Sequence, residues 1–314
     1  MSKKIAVDIC GADATPQVIL RGAIDALSQQ DEYDLVIIGP AGIIEQELED
    51  SDVRPRVEVI DAQDVVTNHD DPTLMVRGRD DTSMGAAFIA LRDREDIVGM
   101  VSAGSTGSLM VGSIFKLGLF KGLMQPALSS ALWNINNRYF CLVDCGANVN
   151  PKAKDMRDYA RMGSAFMEAM NKVESPRVAL MNVGREEGKG SDLAKEAYSL
   201  LAEDDRINFT GNIEGSDILA DIADVIVCDG FTGNVVLKTL EAAGMAAARM
   251  AGNPENVVRF FDYNSQGGAT FLGTRKIIVK AHGAASSETI SSCIKQVKTL
   301  DEGGFTEKMA ARMK

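Results

Sequence analysis

Short runs of β-branched and other apolar residues alternate with longer amphipathic stretches along the whole chain. Nine such runs predict strands, because apolar segments of about four to eight residues between turn residues are typical of buried strands. These runs are KIAVD (4–8), DLVIIG (34–39), RVEVI (56–60), DIVGMVS (96–102), YFCLVD (139–144), RVALMNV (177–183), RINFTG (206–211), DVIVCD (224–229) and KIIVK (276–280).

The stretches between these runs have the spacing of apolar positions that helices show. The predicted helices cover residues 16–28, 82–94, 106–117, 154–171, 192–202, 233–250 and 287–300. Strands that alternate with helices predict βαβ units, and therefore a three-layer, Rossmann-like α/β fold around a mostly parallel sheet. Since no internal repeat or Ser/Pro-rich linker interrupts the chain, we expect one domain over residues 1–314, in which two lobes remain an alternative.

Composition narrows the class of protein. The 314 residues are 45% hydrophobic and 25% charged, as in ordinary globular proteins, and the net charge of -12 counts against general binding of nucleic acid. Five scattered cysteines in apolar runs favour a reducing, cytoplasmic compartment. The apolar run at the N-terminus ends at Asp8, too early for a signal peptide or a membrane span. With two histidines, the sequence offers no zinc-type cluster, and we expect no bound metal.

Small polar residues follow most of the predicted strands. In an open parallel sheet, ligands bind beyond the carboxyl ends of the strands, so such segments can converge on one edge. Glycines there let the backbone approach a ligand, and helix N-termini attract anions. The sequence therefore predicts an anion-binding cleft. The segments are 8–13 (DICGAD), 102–107 (SAGSTG), 144–148 (DCGAN), 182–191 (NVGREEGKGS), 211–215 (GNIEG) and 229–234 (DGFTGN).

Individual residues in these segments allow two interpretations. Lys189 lies between two glycines before a helix, so it is either a solvated surface lysine or an anion ligand. Asn234 is either a polar residue at a helix start or a site residue. His282 follows a strand, where a packed or capping histidine is the ordinary case.

Several known motifs are absent. GREEGKGS is not a Walker loop, because Val183 stands where the first glycine belongs and Gly190 follows the lysine. There is no G-x-S-x-G nucleophile motif and no complete G-x-G-x-x-G pattern. A dinucleotide cofactor is therefore not supported, and we expect no cofactor.

An ordered series of motifs resembles the phosphate acyltransferases of bacterial phospholipid synthesis, over nearly the whole chain. The motifs are SAGSTGSLM, DCGANVNPK, GREEGKGSDLAKEAY, INFTGNIEG, DVIVCDGFTGNVVLKT, GGATFLG and AHG. The resemblance implies a homodimer with a fold similar to the isocitrate and isopropylmalate dehydrogenases. It also implies an enzyme that converts a long-chain acyl-acyl-carrier protein and inorganic phosphate into acyl phosphate and free carrier protein.

The resemblance implies that Lys189 and Asn234 are active-site residues, and we add Asp229 as a polarising carboxylate. We expect Lys189 to bind phosphate together with backbone N–H groups of 104–107 and 230–233, while Asn234 orients the phosphate or donates to the oxyanion. The remaining residues expected to bind phosphate or substrate are Asp8, Gly11, Asp13, Ser102, Gly104, Ser105, Thr106, Gly107, Asn148, Glu187, Gly188, Gly230, Phe231, Thr232, Gly233 and His282.

The chain departs from the family pattern in three places. ICGADATP replaces a double-glycine motif, Ser105 replaces an asparagine, and the stretch 240–263 is shorter than the family's helical hairpin, which is thought to contact the membrane. That stretch is either a membrane-facing surface or a packing surface, so a cytoplasmic protein and one peripheral to the membrane both remain open. Arg77, Arg79, Lys116 and Lys121 are candidates for docking the acidic carrier protein.

Three alternatives to this function remain. A short-chain phosphate acyltransferase would use acyl-coenzyme A in the same type of reaction. A non-catalytic anion-binding or regulatory homologue would keep the cleft without turnover. A nicotinamide dehydrogenase on the related fold is the third.

Overall fold

All nine predicted strands are present, and two more accompany them. The computed structural model describes residues 2–76, 78–252, 254–261 and 267–314. In chain order the strands are β1 (Lys3–Asp8), β2 (Tyr33–Gly39), β3 (Val57–Asp61), β4 (Ile97–Ser102), β5 (Ala127–Trp133), β6 (Tyr139–Val143), β7 (Arg177–Met181), β8 (Asn208–Ile213), β9 (Val225–Val227), β10 (Ala269–Leu272) and β11 (Ile277–Lys280).

The seven predicted helices are also present, with small shifts at their ends. The helices are α1 (Pro16–Leu27), α2 (Ala41–Leu48), α3 (Ser83–Asp93), α4 (Thr106–Gly112), α5 (Ala153–Asn171), α6 (Asp192–Ala202), α7 (Gly230–Met250), α8 (Glu255–Phe261), α9 (Ser287–Glu302) and α10 (Phe305–Arg312). A π-helical turn, Ser113–Leu117, continues α4. Helices α2, α8 and α10 have no counterpart among the predicted helices, and α7 begins three residues before its predicted start.

The chain folds into two compact units, Met1–Leu119 with Asn264–Asp301 and Phe120–Tyr263 with Glu302–Lys314. In the first unit the strand order is β3-β2-β1-β4-β11-β10. Every pair in it is parallel except β10 with β11. The carboxyl ends of β1, β4 and β11 therefore lie side by side at one edge.

In the second unit the strand order is β5-β6-β9-β7-β8. Strands β6, β9, β7 and β8 are parallel, and β5 runs antiparallel to β6. The core of this unit includes Phe140, Leu142, Ala179 and Ile226, all at most 1% exposed. The carboxyl ends of the four parallel strands form the second edge at which the sequence predicted site residues.

The α/β fold with a mostly parallel sheet is thus confirmed. Each of the two strands without a counterpart in the prediction runs antiparallel to a predicted strand, β5 to β6 and β10 to β11. Strand β5 contains Ser129 and Ser130, which are both buried, so it has no apolar–polar alternation. Strand β10 has only four residues and follows two glycines.

Candidate active site

The loop after β6 is organised by one buried carboxylate, Asp144. Its Oδ1 accepts N–H bonds from Leu128, Gly146 and Ala147, and its Oδ2 accepts from the backbone and side chain of Asn148. Burial raises the pKa of Asp144, while these donors oppose that shift. Asn148, predicted to bind substrate, therefore has its amide group engaged within the loop.

Helix α7 packs its first turn directly on this loop. The Gly230 N–H donates to the carbonyl of Asn148 over 2.9 Å. A Cβ on Gly233 would lie 1.9 Å from the carbonyl oxygen of Asp144, and a Cβ on Gly230 would lie 2.6 Å from that of Asn148. The close approach of backbone to backbone therefore requires both glycines.

The N-terminus of α7 is capped by Asp229. Its carboxylate accepts the N–H of Thr232 over 2.9 Å and the hydroxyl of Thr232 over 2.7 Å. The N–H groups of Gly230, Thr232 and Gly233 thus already have acceptors within the protein. The remaining N–H of this turn belongs to Phe231 and has no acceptor among the described residues. Phe231 is 65% exposed.

Asn234 lies in α7 just beyond the capped turn and is exposed. Its Nδ2 donates to the carbonyl of Cys145 over 3.4 Å. The amide nitrogen carries two hydrogens, so one remains for a ligand. The side chain is therefore oriented by the loop after β6 and still able to donate.

Lys189 lies in the loop that joins β7 to α6, and its side chain is exposed. The aliphatic stem passes over Gly184, where a Cβ would lie 3.1 Å from Cγ of the lysine. Among the described residues the ammonium group has neither an ion-pair nor a hydrogen-bond partner. Glu187 and Gly188 precede it and are also exposed. This positive charge is thus available to an anion.

The cysteines near this edge are not nucleophiles at neutral pH. Cys141, Cys145 and Cys228 are buried and free. Burial raises the pKa of Cys145 to about 12 and that of Cys228 well above its usual value. Nucleophilic attack requires the thiolate, so these thiols do not supply it. In the described residues, no group of three or more His, Cys, Asp and Glu side chains has the arrangement of a metal site.

The edge of the first unit is built around Asp8, which is 1% exposed at the end of β1. Its carboxylate accepts the Cys10 N–H over 3.2 Å and the Ser102 hydroxyl over 2.8 Å. Burial raises the pKa of Asp8 to about 6, and the hydrogen bonds from Ser102 and Cys10 oppose that shift. Ser102 also accepts the N–H of Gly104, so the ends of β1 and β4 are joined through side chains.

Three glycines and the cap of α4 complete this edge. Gly11 has φ +74°, and a Cβ there would lie 2.7 Å from a backbone carbonyl oxygen. Gly104 and Gly107 also lie close to neighbouring side chains. Ser105 accepts the N–H of Ser108 over 3.4 Å and so caps α4, which begins at Thr106.

His282 lies after β11 and is exposed. Its Nδ1 accepts the N–H of Ala284 over 3.1 Å. The neighbouring Gly283 accepts the N–H of Asp13 over 2.9 Å. His282 and Asp13 are therefore adjacent, at the same edge as Asp8.

The predicted residues thus form two groups, one at the carboxyl edge of each unit. The sequence analysis did not single out Asp144, Asn182 or Asn212, whose bonds hold the loops of the second unit. A lone acidic residue at the end of an apolar strand was the available signal for Asp144.

The four basic candidates for carrier docking differ in their contacts. Lys116 pairs with Asp80 and donates to the Gly78 carbonyl, and Arg79 donates to the Val65 carbonyl. Lys121 is exposed and has no partner among the described residues. Arg77 lies outside the described residues.

Solved structures with a similar fold indicate the fold class of this protein. A phosphotransacetylase from Streptococcus pyogenes aligns with a TM-score of 0.65 at 15% identity, covering 96% of this chain and 94% of its own. A branched-chain phosphotransacylase from Enterococcus faecalis aligns with a TM-score of 0.60 at 12% identity over 95% and 99%. A putative 4-hydroxythreonine-4-phosphate dehydrogenase from Salmonella typhimurium aligns at 0.56 and 14% identity over 96% and 100%. The chain has the α/β fold shared by phosphotransacylases and these dehydrogenases.

Sequence matches are more specific. Residues 3–308 match the family described as fatty acid synthesis protein. The phosphate acyltransferase of Clostridium tetani is 35% identical, over 96% of this chain and 95% of its own, and that of Listeria innocua is 36% identical over 97% and 94%. The chain belongs to the phosphate acyltransferase family and is an acyltransferase, which confirms the resemblance of its motifs. Among the described residues, none of the helices is long and apolar enough to cross a membrane.

Proposed function

We propose that this enzyme forms acyl phosphate from a long-chain acyl-acyl-carrier protein and inorganic phosphate. A phosphate oxygen attacks the thioester carbonyl carbon, the C–O bond forms and the C–S bond breaks. The carrier leaves as a thiolate, which takes up a proton. The unpaired ammonium of Lys189, at the sheet edge that also holds Asn234, is the observation on which this proposal rests.

The chemistry requires positioning more than a protein nucleophile. Phosphate is already nucleophilic at neutral pH, and a thiolate is a competent leaving group, so orientation and charge stabilisation can supply most of the rate. Lys189 holds the phosphate dianion, and the second N–H of Asn234 donates to the tetrahedral oxyanion. Asp229 supports this group indirectly, because its cap fixes the turn that precedes Asn234.

A long acyl chain is favoured by the apolar side chains at the same sheet edge. Val149 follows β6, Val183 follows β7, and Phe231 and Val235 lie on the first turns of α7. All four are exposed, from 48% for Val235 to 77% for Val183. Covering such a surface with an alkyl chain would remove apolar area from water at about 25 cal/mol per Å².

The acidic carrier protein requires positive charge on a chain whose net charge is -12. Among the four candidates, Lys121 is exposed without a partner among the described residues, so it is the residue we propose for docking. We further propose that the protein is cytoplasmic and forms a homodimer. Light scattering of the purified protein would test the homodimer.

The decisive experiment supplies the purified protein with palmitoyl-carrier protein and inorganic phosphate and detects palmitoyl phosphate by mass spectrometry. Parallel reactions contain acetyl- or butyryl-coenzyme A. We expect acyl phosphate from the carrier thioester at a much higher kcat/KM. Preference for the short coenzyme A thioesters would replace the proposal by the short-chain activity, and no product from any donor would favour the non-catalytic alternative.

A further inference from the structure

The loop that carries Lys189 is held by two asparagines from neighbouring strands. Asn182 directly follows β7, and Asn212 lies in β8 beside Leu180 of β7. Each donates its side-chain amide to a backbone carbonyl of the Lys189 loop, which we define as residues 182–190. Neither has a role in the reaction proposed above.

Asn182 holds the C-terminal side of the loop. Its Nδ2 donates to the carbonyl of Lys189 itself over 3.1 Å, and its Oδ1 accepts the N–H of Val183 over 2.8 Å. Gly190 has φ +91°, and a Cβ there would lie 2.2 Å from Oδ1 of Asn182. A residue other than glycine would therefore be both strained in its backbone and in collision with this asparagine.

Asn212 holds the middle of the loop. Its Nδ2 donates to the carbonyl of Glu186 over 2.9 Å, and the same carbonyl accepts the N–H of Lys189 over 3.1 Å. Asn212 is 7% exposed, and its Oδ1 is buried without a hydrogen-bond partner among the described residues. A buried acceptor without a donor costs free energy, which offsets part of what the bond from Asn212 to the Glu186 carbonyl contributes.

These contacts surround Lys189 without engaging its charge. The carbonyl is held by Asn182, the N–H is held by the Glu186 carbonyl that Asn212 fixes, and the stem rests on Gly184. The ammonium group beyond the stem has no partner in the part of the chain that the structure describes. The backbone contacts thus fix the point from which this unpaired side chain extends.

We propose that Asn182 and Asn212 are positioning residues for phosphate: they fix the Lys189 loop and thereby set the location of its ammonium group. This inference rests on the proposed role of Lys189 in binding phosphate. Displacement of a binding group by about 1 Å can cost up to about a hundredfold in rate. Loss of either amide should therefore weaken phosphate binding without touching the acyl donor.

The test compares Asn182→Ala and Asn212→Ala with Asn208→Ala. Asn208 is a matched control, because it lies at the other end of β8 and its amide donates over 3.4 Å to the Ser175 carbonyl. Rates are measured against phosphate and against palmitoyl-carrier protein. We expect KM for phosphate to rise about tenfold in the first two variants, with KM for the carrier thioester unchanged and Asn208→Ala like wild type. Hydrogen–deuterium exchange of residues 182–191 should accelerate only in the first two.

Each variant is also combined with Lys189→Ala. If the asparagines act through the lysine, the double variants should be no less active than Lys189→Ala alone. Unchanged KM for phosphate in both asparagine variants, beside a strong effect of Lys189→Ala, would overturn the positioning role and leave the proposed function intact. Equal losses in both KM values with a lowered Tm would also overturn it, as a general structural defect. Full phosphate-dependent activity of Lys189→Ala would overturn the role of the lysine and this inference together.

Discussion

The contact of α7 with the loop after β6 makes Gly233→Ala a severe test of the site. The added Cβ would lie 1.9 Å from the Asp144 carbonyl oxygen, where ordinary contacts begin at 3.4 Å, and 2.9 Å from the Cys228 sulfur. Backbone on one side must therefore shift by about 1.5 Å, the difference between these two distances. Overpacking of this kind costs about 1–3 kcal/mol of unfolding free energy. Because Asn234 is the next residue, we expect kcat/KM to fall about a hundredfold.

Two assays separate these effects. Urea unfolding measures the stability of Gly233→Ala, and phosphate-dependent thioester cleavage measures its activity at a temperature where the variant is folded. Gly215→Ala is the matched control, because a Cβ there would meet no atom within 4 Å. Wild-type activity and stability in Gly233→Ala would refute the argument that this glycine is required by close packing.

Four other substitutions test separate parts of the structure. Lys189→Ala and Asn234→Ala should each lower phosphate-dependent thioester cleavage at least about tenfold, since each removes a donor that we propose for the reacting groups; full activity in both would contradict their assignment. Arg161→Met should lower the unfolding free energy in urea by about 1–3 kcal/mol, because it removes one of the two guanidinium groups that pair with the buried carboxylate of Asp204, the other being that of Arg206. An unchanged urea midpoint would show that this ion pair contributes nothing. Burial raises the pKa of Asp8 from 3.8 to about 6, so the folded state binds more protons than the unfolded chain between these pH values, and stability should fall as pH rises through them. Asp8→Asn should remove that fall from the pH profile of urea unfolding, and an unaltered profile would count against it.

Most of the fold could be predicted because parallel strands buried on both faces are nearly continuous apolar runs. KIAVD and DVIVCD illustrate this pattern, and both correspond to central strands. The antiparallel β5 and β10 lack it, since β5 buries Ser129 and Ser130 and β10 is only four residues long. Each pairs with the strand that follows it along the chain, β6 or β11, but neither has the apolar run that would predict a strand.

The sequence predicts where the candidate site lies. It does not predict the hydrogen bonds that hold the site together. The rule that ligands bind at the carboxyl ends of parallel strands directed attention to the loops of Lys189 and Asn234. It could not indicate that Asn182 and Asn212 converge on one loop, because that depends on the register of β7 with β8. The register of two paired strands determines which of their side chains reach the same loop. The sequence pattern alone does not determine this register.

The glycines of DGFTGN show why a glycine-rich turn supports two physical interpretations. The sequence analysis expected their N–H groups to hold phosphate, as at many helix N-termini. In the structure, the N–H groups of Gly230 and Gly233 have acceptors within the protein, and both glycines are needed where backbone meets backbone. We therefore expect anion binding at this edge to depend on side chains. The candidate groups are the ammonium of Lys189, on a loop, and the side-chain amide of Asn234, which lies in α7 and donates to the Cys145 carbonyl. If side chains bind the phosphate, substitution of the residues that position those side chains should weaken phosphate binding. A site made of backbone N–H groups should not show this sensitivity.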